Sequence, residues 1–333
     1  MKQLIRKIQS IITTKTLAYV AASSLLISCI NAQQTIVDQV DLSFDNITTV
    51  EVEGSFCQVN INAIEGHMVS FKGVIKASKA YDDLKIKYTE DNHVLKIWLE
   101  KPNMNWGNID GKLELSLPIA TNIMVDNSSG SVQLDGIQGG TVDLNASSGS
   151  ISAKNIISSV NIKTSSGSQK IENIKGDIKS SASSGSINIT EVKGSLSAQC
   201  SSGGIQMNNI QGDVNAKTTS GSIRGNDIIG NVNGNSSSGS IKISTVTGSL
   251  NLVSSSGSQS GNQIKLTGNS SFSASSGIVH MELINDAEEL SFNLNASSGS
   301  ISAKGIKGHD SLTISKGFIV VTGNTSSGSQ SYQ

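Results

Sequence analysis

Two carboxylates, Asp177 and Asp213, recur at one phase of a repeating sequence, with Ser195 at the equivalent place between them. At the ordinary spacing of paired strands they would stand about 9.6 Å apart, near the upper limit for the acid and base of an inverting glycosidase. Polysaccharide cleavage would also need Arg, Lys or aromatic subsites around the pair, and the neighbouring sequence supplies no such set. Solvated acids beside turns are the simpler reading of the same residues. His67, His93, His280 and His309 share no phase. No G-x-S-x-G, H-E-x-x-H, phosphate loop or GGxGxD repeat occurs, so hydrolase, zinc, nucleotide and calcium-repeat chemistry all lack a signature. Cys57 and Cys200 show neither CxxC nor Cys/His spacing, which argues against a metal site or a disulfide framework. No cofactor is expected.

The elements that must carry these residues announce themselves by period. Ser-Ser-Gly returns with its glycine at Gly130, Gly149, Gly167, Gly185, Gly203, Gly221 (here Thr-Ser-Gly), Gly239, Gly257, Gly277 and Gly299. The first interval is 19 residues, six are 18, and then come 20 and 22. Gly317, in Ser-Lys-Gly, keeps the 18-residue phase, and Gly328 follows about half a period later. One supersecondary unit stacked many times gives such a pattern.

Within a repeat, apolar residues fall at +2, +4, +7, +11 and +13 from the glycine, as in Ile187, Ile189, Val192, Leu196 and Ala198. Alternation by two marks short half-buried strands, and no stretch is long enough for a helix. A half-way glycine (Gly176, Gly194, Gly212, Gly230, Gly248) divides each period into two strands and two corners. Position +7 is aliphatic throughout: Ile137, Ile156, Ile174, Val192, Ile210, Ile228, Val246, Ile264, Ile284 and Ile306. Position +2 is mostly aliphatic, from Val132 to Ile319, with glutamine at Gln169, Gln259 and Gln330. These glutamines mark either a register change or an inward amide. The expected fold is all-β: a single-chain, right-handed parallel β-helix, or solenoid, with two-strand coils of about 18 residues and a β-rich N-terminal cap. Glycine suits the corners by tolerating positive φ, and the serine hydroxyls could bond the backbone there. Ten intervals of about 4.8 Å, from Gly130 to Gly317, make a rod of roughly 48 Å.

Residues 1–28 read as an export signal. Lys2, Arg6, Lys7 and Lys15 precede an apolar run from Leu17 to Ile27 that is too short for a membrane span. Leu26-Ile27-Ser28-Cys29 resembles a lipoprotein signal that would place a lipid on Cys29 and tether the protein to a membrane. Secretion with cleavage after Ala32 is the alternative. Removal of the signal leaves 21 Lys and Arg against 26 Asp and Glu, which argues against nucleic acid as a partner. Residues 35–125 hold both tryptophans and alternate as strands at Leu84–Tyr88, Val94–Leu99 and Leu113–Pro118, with Glu90-Asp91-Asn92 as a hairpin turn. They are expected to cap the solenoid. Residues 126–328 form the repeat solenoid, and residues 329–333 a polar tail. An end closed only by that tail would leave head-to-tail association open.

The valine-rich Val50-Glu51-Val52-Glu53-Gly54, the Leu113–Pro118 segment and the reiterated Ser-Ser-Gly-Ser-Ile turns resemble the putative-adhesin or "head GIN" repeat family of exported Bacteroidetes proteins. The resemblance covers nearly all of residues 40–325 and implies surface display and binding, with no shared catalytic residues to carry over. The expected role is therefore a non-enzymatic, exported, lipid-anchored adhesin or scaffold with a surface, glycan or protein ligand. It would sit in the bacterial envelope, on the cell surface or the periplasmic face. The alternatives are a carbohydrate-active β-helix enzyme and a binder of ice or crystalline glycan through ordered hydroxyls.

Overall fold

A computed structural model describes residues 34–101 and 108–333. The signal segment, Cys29 and Ala32 lie outside the described residues, as does Trp106. Among the described residues, apart from a single 3-10 turn, Ala287–Glu289, every regular element is a strand. The chain alternates between two facing sheets of 16 and 15 strands, and each passage through both makes one coil.

The 18-residue period translates directly into in-register parallel pairing. Ile187 lies opposite Ile205 in the first sheet, and Leu196 opposite Val214 in the second. The aliphatic columns at +2, +4, +11 and +13 meet between the sheets, where Ile187, Ile205, Leu196 and Val214 are all buried.

Strict alternation would turn position +7 outward, yet Ile156 through Ile264 are buried at that position. The cause is a left-handed residue at +6 in each regular coil: Asn155, Asn173, Glu191, Asn209, Asp227, Thr245 and Gln263 have φ between 51° and 59°. This residue drops out of the pairing register and rotates the next side chain inward. The coil after Gly277 lacks it, so alternation continues there. Leu283 takes the inward place opposite Ile264, and Ile284 is 59% exposed. Ile306 is also turned out, on an antiparallel hairpin that follows the left-handed pair Lys304-Gly305. The +7 expectation thus fails at Ile284 and Ile306.

The Ser-Ser-Gly glycines form a column along one corner, as expected, but for a different reason. Of this column only Gly299 has a positive φ. The others are glycine because the coils touch: a Cβ on Gly239 would fall 1.7 Å from the Gly221 carbonyl oxygen. The two corner serines do not bond the corner through their hydroxyls. Their backbones bond corner to corner, as in Ser184 N–H to Ser165 O. The side chain that reaches the glycine carbonyl comes from three residues before the glycine, as in Thr218 to Gly221 (2.8 Å) and Ser254 to Gly257 (2.6 Å). The glutamines resolve as inward amides. Gln169 Nε2 donates to Thr164 Oγ1 and Ser181 O, and Gln259 Nε2 to Ser254 Oγ and Ser273 O. Each braces one sheet against the other.

The ends depart from chain order. The last coil, Ile319–Thr325 and Gln330–Tyr332, slots between the coil of Ser270–Ala274 and Val279–Leu283 and the coil of Leu290–Ala296 and Ile301–Ala303. Three expectations are corrected as a result. Gly317 leaves the Ser-Ser-Gly column and packs against Glu289 at the entry to the second sheet, while Gly328 stacks on Gly277 and under Gly299. Ile319 pairs with Leu290 in the second sheet, and the +2 place belongs to Gln330. The supposed polar tail at 329–333 contains the strand Gln330–Tyr332, whose Gln330 and Tyr332 are each 1% exposed, with Tyr332 in contact with Phe272 and Phe292. The premise of a weakly closed end falls with it.

The N-terminal end uses the same device. Thr49–Ser55 and Gln58–Ile64 form a full coil slotted between Val94–Glu100 with Ile109–Pro118 and Asn122–Asn127 with Val132–Asp135. Solenoid stacking therefore starts well before residue 126. Antiparallel strands Thr35–Asp45, Met68–Ala77 and Lys85–Asp91 close that end. The expected hairpin is present, turning at Asn92-His93 with both φ positive.

Candidate functional site

The second sheet carries a long trough of about 1110 Å³ on its outer face, which begins at Thr49 and ends at Thr322. Two ridges bound it. One consists of corner residues ahead of each strand and includes Asp177, Ser195, Asp213 and Asn231; the other consists of the outward residues two places later. The intervening floor residues, such as Ile178 and Val214, point inward and are buried.

The sequence pair Asp177 and Asp213 thus does border a common depression, with Ser195 between. Their chemistry is structural, however. Asp177 Oδ1 accepts the backbone N–H of Ser195 (2.8 Å), and Asp213 Oδ1 accepts the N–H and side-chain amide of Asn231 (2.9 and 3.1 Å). Asn231 repeats the arrangement on Ser249 (3.1 Å). Asp177, Asp213 and Asn231 therefore each cap the next coil, satisfying an amide at the corner where the ladder would otherwise lapse. No Arg lines the trough, and Lys179 is the one Lys among its lining residues.

On the second ridge the amides bond one another along the rod. Asn233 Nδ2 donates to Asn215 Oδ1 (3.4 Å), Asn251 Nδ2 to Asn233 Oδ1 (3.2 Å), and Ser271 Oγ to Asn251 Oδ1 (2.5 Å). Farther along, Asn161 Nδ2 donates to Asp143 Oδ2 (3.0 Å). The sequence signals this ladder only through Asn215, Asn233 and Asn251, which follow one another at the 18-residue period.

The remaining candidates do not converge. His93 bonds the Asn46 carbonyl across a turn, and His280 and His309 lie beside Glu282 and Asp310. Among the described residues no group of His, Cys, Asp and Glu could hold a metal. Cys57 is buried, and burial, with Asp110 adding to it, pushes its thiol up to about 12. Cys200 is buried in the column otherwise held by Thr218 and Ser236, and burial raises its thiol as well. On the outer face of the first sheet, Lys154 and Lys170 both contact Glu172 (2.8 and 2.7 Å) and hold its carboxyl below the usual range.

Three solved structures are similar: a putative cell adhesion protein from Clostridium sporogenes and putative adhesins from Parabacteroides distasonis and Bacteroides fragilis. Identities are 11%, 11% and 10%, and TM-scores 0.22, 0.27 and 0.23. The matches cover 90%, 91% and 89% of this chain and 99%, 98% and 97% of theirs. No curated protein matches the sequence. The profile of one family, however, spans both the N-terminal coils and the repeats, at residues 40–226 and 229–329: the chain belongs to the Toastrack DUF4097 family.

Proposed function

We propose that this protein is a non-enzymatic, adhesin-like or scaffold rod of the bacterial envelope, exported and tethered by a lipid on Cys29, with the trough as its binding face. The observation that carries this reading is the trough itself. It is continuous over many coils, and the carboxylates Asp177 and Asp213 on its rim hold backbone amides. A rigid rod bearing one repeated surface suits attachment better than turnover, which requires converging groups at one point. The head GIN resemblance of the sequence points the same way.

Intact cells carrying the wild type or Cys29→Ser provide the test. Protease should remove the wild-type protein from intact cells, and the variant should be released from membranes. Full protection until the envelope is broken would place the rod on the periplasmic face and remove the surface-adhesin role. The enzyme reading keeps one favourable observation, the shared trough of Asp177 and Asp213. Polymer cleavage that disappears in Asp177→Asn and Asp213→Asn would establish it in place of the binding role.

A further inference from the structure

We propose that the trough is a channel for a neutral, linear polysaccharide lying along the solenoid axis. This rests on the attachment role above and specifies its ligand. The shape selects a linear partner, because the trough runs from Thr49 to Thr322 along the stacking direction.

The charge selects a neutral one. Asp143, Asp177 and Asp213 border the trough with Lys179 as the lone ammonium, so a polyanion meets a net negative surface. Each carboxylate gives at least one oxygen to the protein's own amides, and the uncharged groups beside them that can bind are Asn and Ser side chains. A primary amide has two N–H donors and an oxygen with two lone pairs. In the ladder, Asn233 gives one N–H to Asn215 and accepts one bond from Asn251, so it retains one donor and one acceptor. The successive rungs of Asn215, Asn233 and Asn251 each offer a donor and an acceptor, which matches hydroxyl groups, since these also do both.

The repeat disfavours an extended peptide. Rungs recur about every 4.8 Å whereas a peptide advances about 3.2–3.4 Å per residue, so it comes into phase only at every second rung and leaves the rungs between unmatched. A pyranose ring linked head to tail advances by about one rung. Met124 and Val320, 49% and 38% exposed at opposite ends of the trough, supply apolar surface for the C–H faces of such rings.

The purified full-length chain is run in native gels containing a soluble β-glucan, a galactomannan, a xylan, polygalacturonate or gelatin. At least one neutral polymer should retard it, and polygalacturonate should not. The double variant Asn215→Trp/Asn233→Trp fills the channel and should weaken retention about tenfold or more, the weight of one or two lost hydrogen-bonded contacts. Gln206→Trp, outward on the opposite sheet, should leave it unchanged. Ser197→Trp is the second channel variant if the double variant fails to fold by circular dichroism. No retardation by any neutral polymer, retardation untouched by the channel variants, or selective retardation by polygalacturonate would overturn the proposal. Retardation by gelatin alone would overturn the polysaccharide while keeping the attachment role. If cells carrying the protein also attach to none of these polymers when coated on a surface, the attachment role falls with it.

Discussion

Thr245 should be a site where removing a side chain stabilises the protein. It holds φ at 51°, and it is exposed on an otherwise regular strand, Ile241–Gly248. An L-residue in that region costs roughly 1–2 kcal/mol, more for a β-branched one, while glycine enters it freely but loses about 0.5–1 kcal/mol of chain entropy. Thr245→Gly should therefore gain about 1 kcal/mol. Asn209 occupies the same place in another coil with φ at 56°. Asparagine already tolerates this region, so Asn209→Gly should be close to neutral. Lys242→Gly, in the same strand as Thr245 but at ordinary φ, should lose about 0.5–1 kcal/mol. Urea unfolding of the three variants reads these values as shifts of the midpoint at constant slope. The order is the decisive part: threonine gains, asparagine stays and lysine loses. If Thr245→Gly destabilises as much as Lys242→Gly, the left-handed residue is not what turns Val246 inward.

Two further outcomes follow from the packing. Tyr332→Ala should cost about 3–5 kcal/mol in the same assay, as large aromatic truncations in cores do, because the ring fills the space between Phe272 and Phe292. A loss below about 1 kcal/mol would mean that the final strand is not seated as described. In a Cys29→Ser background at pH 8, neither thiol should react with Ellman's reagent until urea is added. With its thiol pushed up to about 12, Cys57 is ionised to only about one part in ten thousand at that pH. The shift raises the folded value, so native labelling should begin only as pH climbs toward 12. Rapid labelling of the one thiol of a Cys29→Ser/Cys200→Ser variant, folded at pH 8, would contradict the burial of Cys57.

The repeat was legible because its information is local and periodic. Any residue 18 places on is also one rung up, so the buried columns from Val132 to Val279 can be read as vertical ladders from the sequence alone. The direction of side chains after the left-handed position was recorded in the sequence only as the odd step from +4 to +7. That step hid its cause, because Glu191, Thr245 and Gln263 are not residue types that advertise positive φ. The binding face was harder. Outward columns need no hydrophobicity, so the amides of Asn215, Asn233 and Asn251 looked like ordinary surface until their hydrogen bonds were seen. Asp177 and Asp213 drew notice as acids, whereas geometry makes them caps.

The C-terminal error has a sharper cause. Gly317 falls 18 residues after Gly299 by coincidence, and the phase rule accepted it. The true corner was marked by the tripeptide, not by the distance: Ser326-Ser327-Gly328 is followed by Gln330 and Tyr332 at +2 and +4, matching Val279 and Met281 after Gly277. The residues between Gly299 and Gly328 form the antiparallel turn-back and the second-sheet strand that together allow the last coil to slot inward. This insertion has a consequence for assembly. The outermost strands at both ends are antiparallel to their neighbours: Thr35–Asp45 to Met68–Ala77, Lys85–Asp91 to Val94–Glu100, Ile306–Gly308 to Ile301–Ala303, and Ser311–Ile314 to Leu290–Ala296. Stacking one copy on the next would require opposite strand senses on the two sheets: antiparallel in the first, because Thr35–Asp45 lies two reversals from Ile109–Pro118, and parallel in the second. No copy can thus simply continue the parallel ladder of another. Asp38 adds to the closure by turning its carboxylate onto the Ile86 N–H (2.7 Å) beside a bulge in the edge strand, a feature that discourages further pairing. The same slotted-coil construction at both ends turns a motif that could repeat without limit into a rod of fixed length.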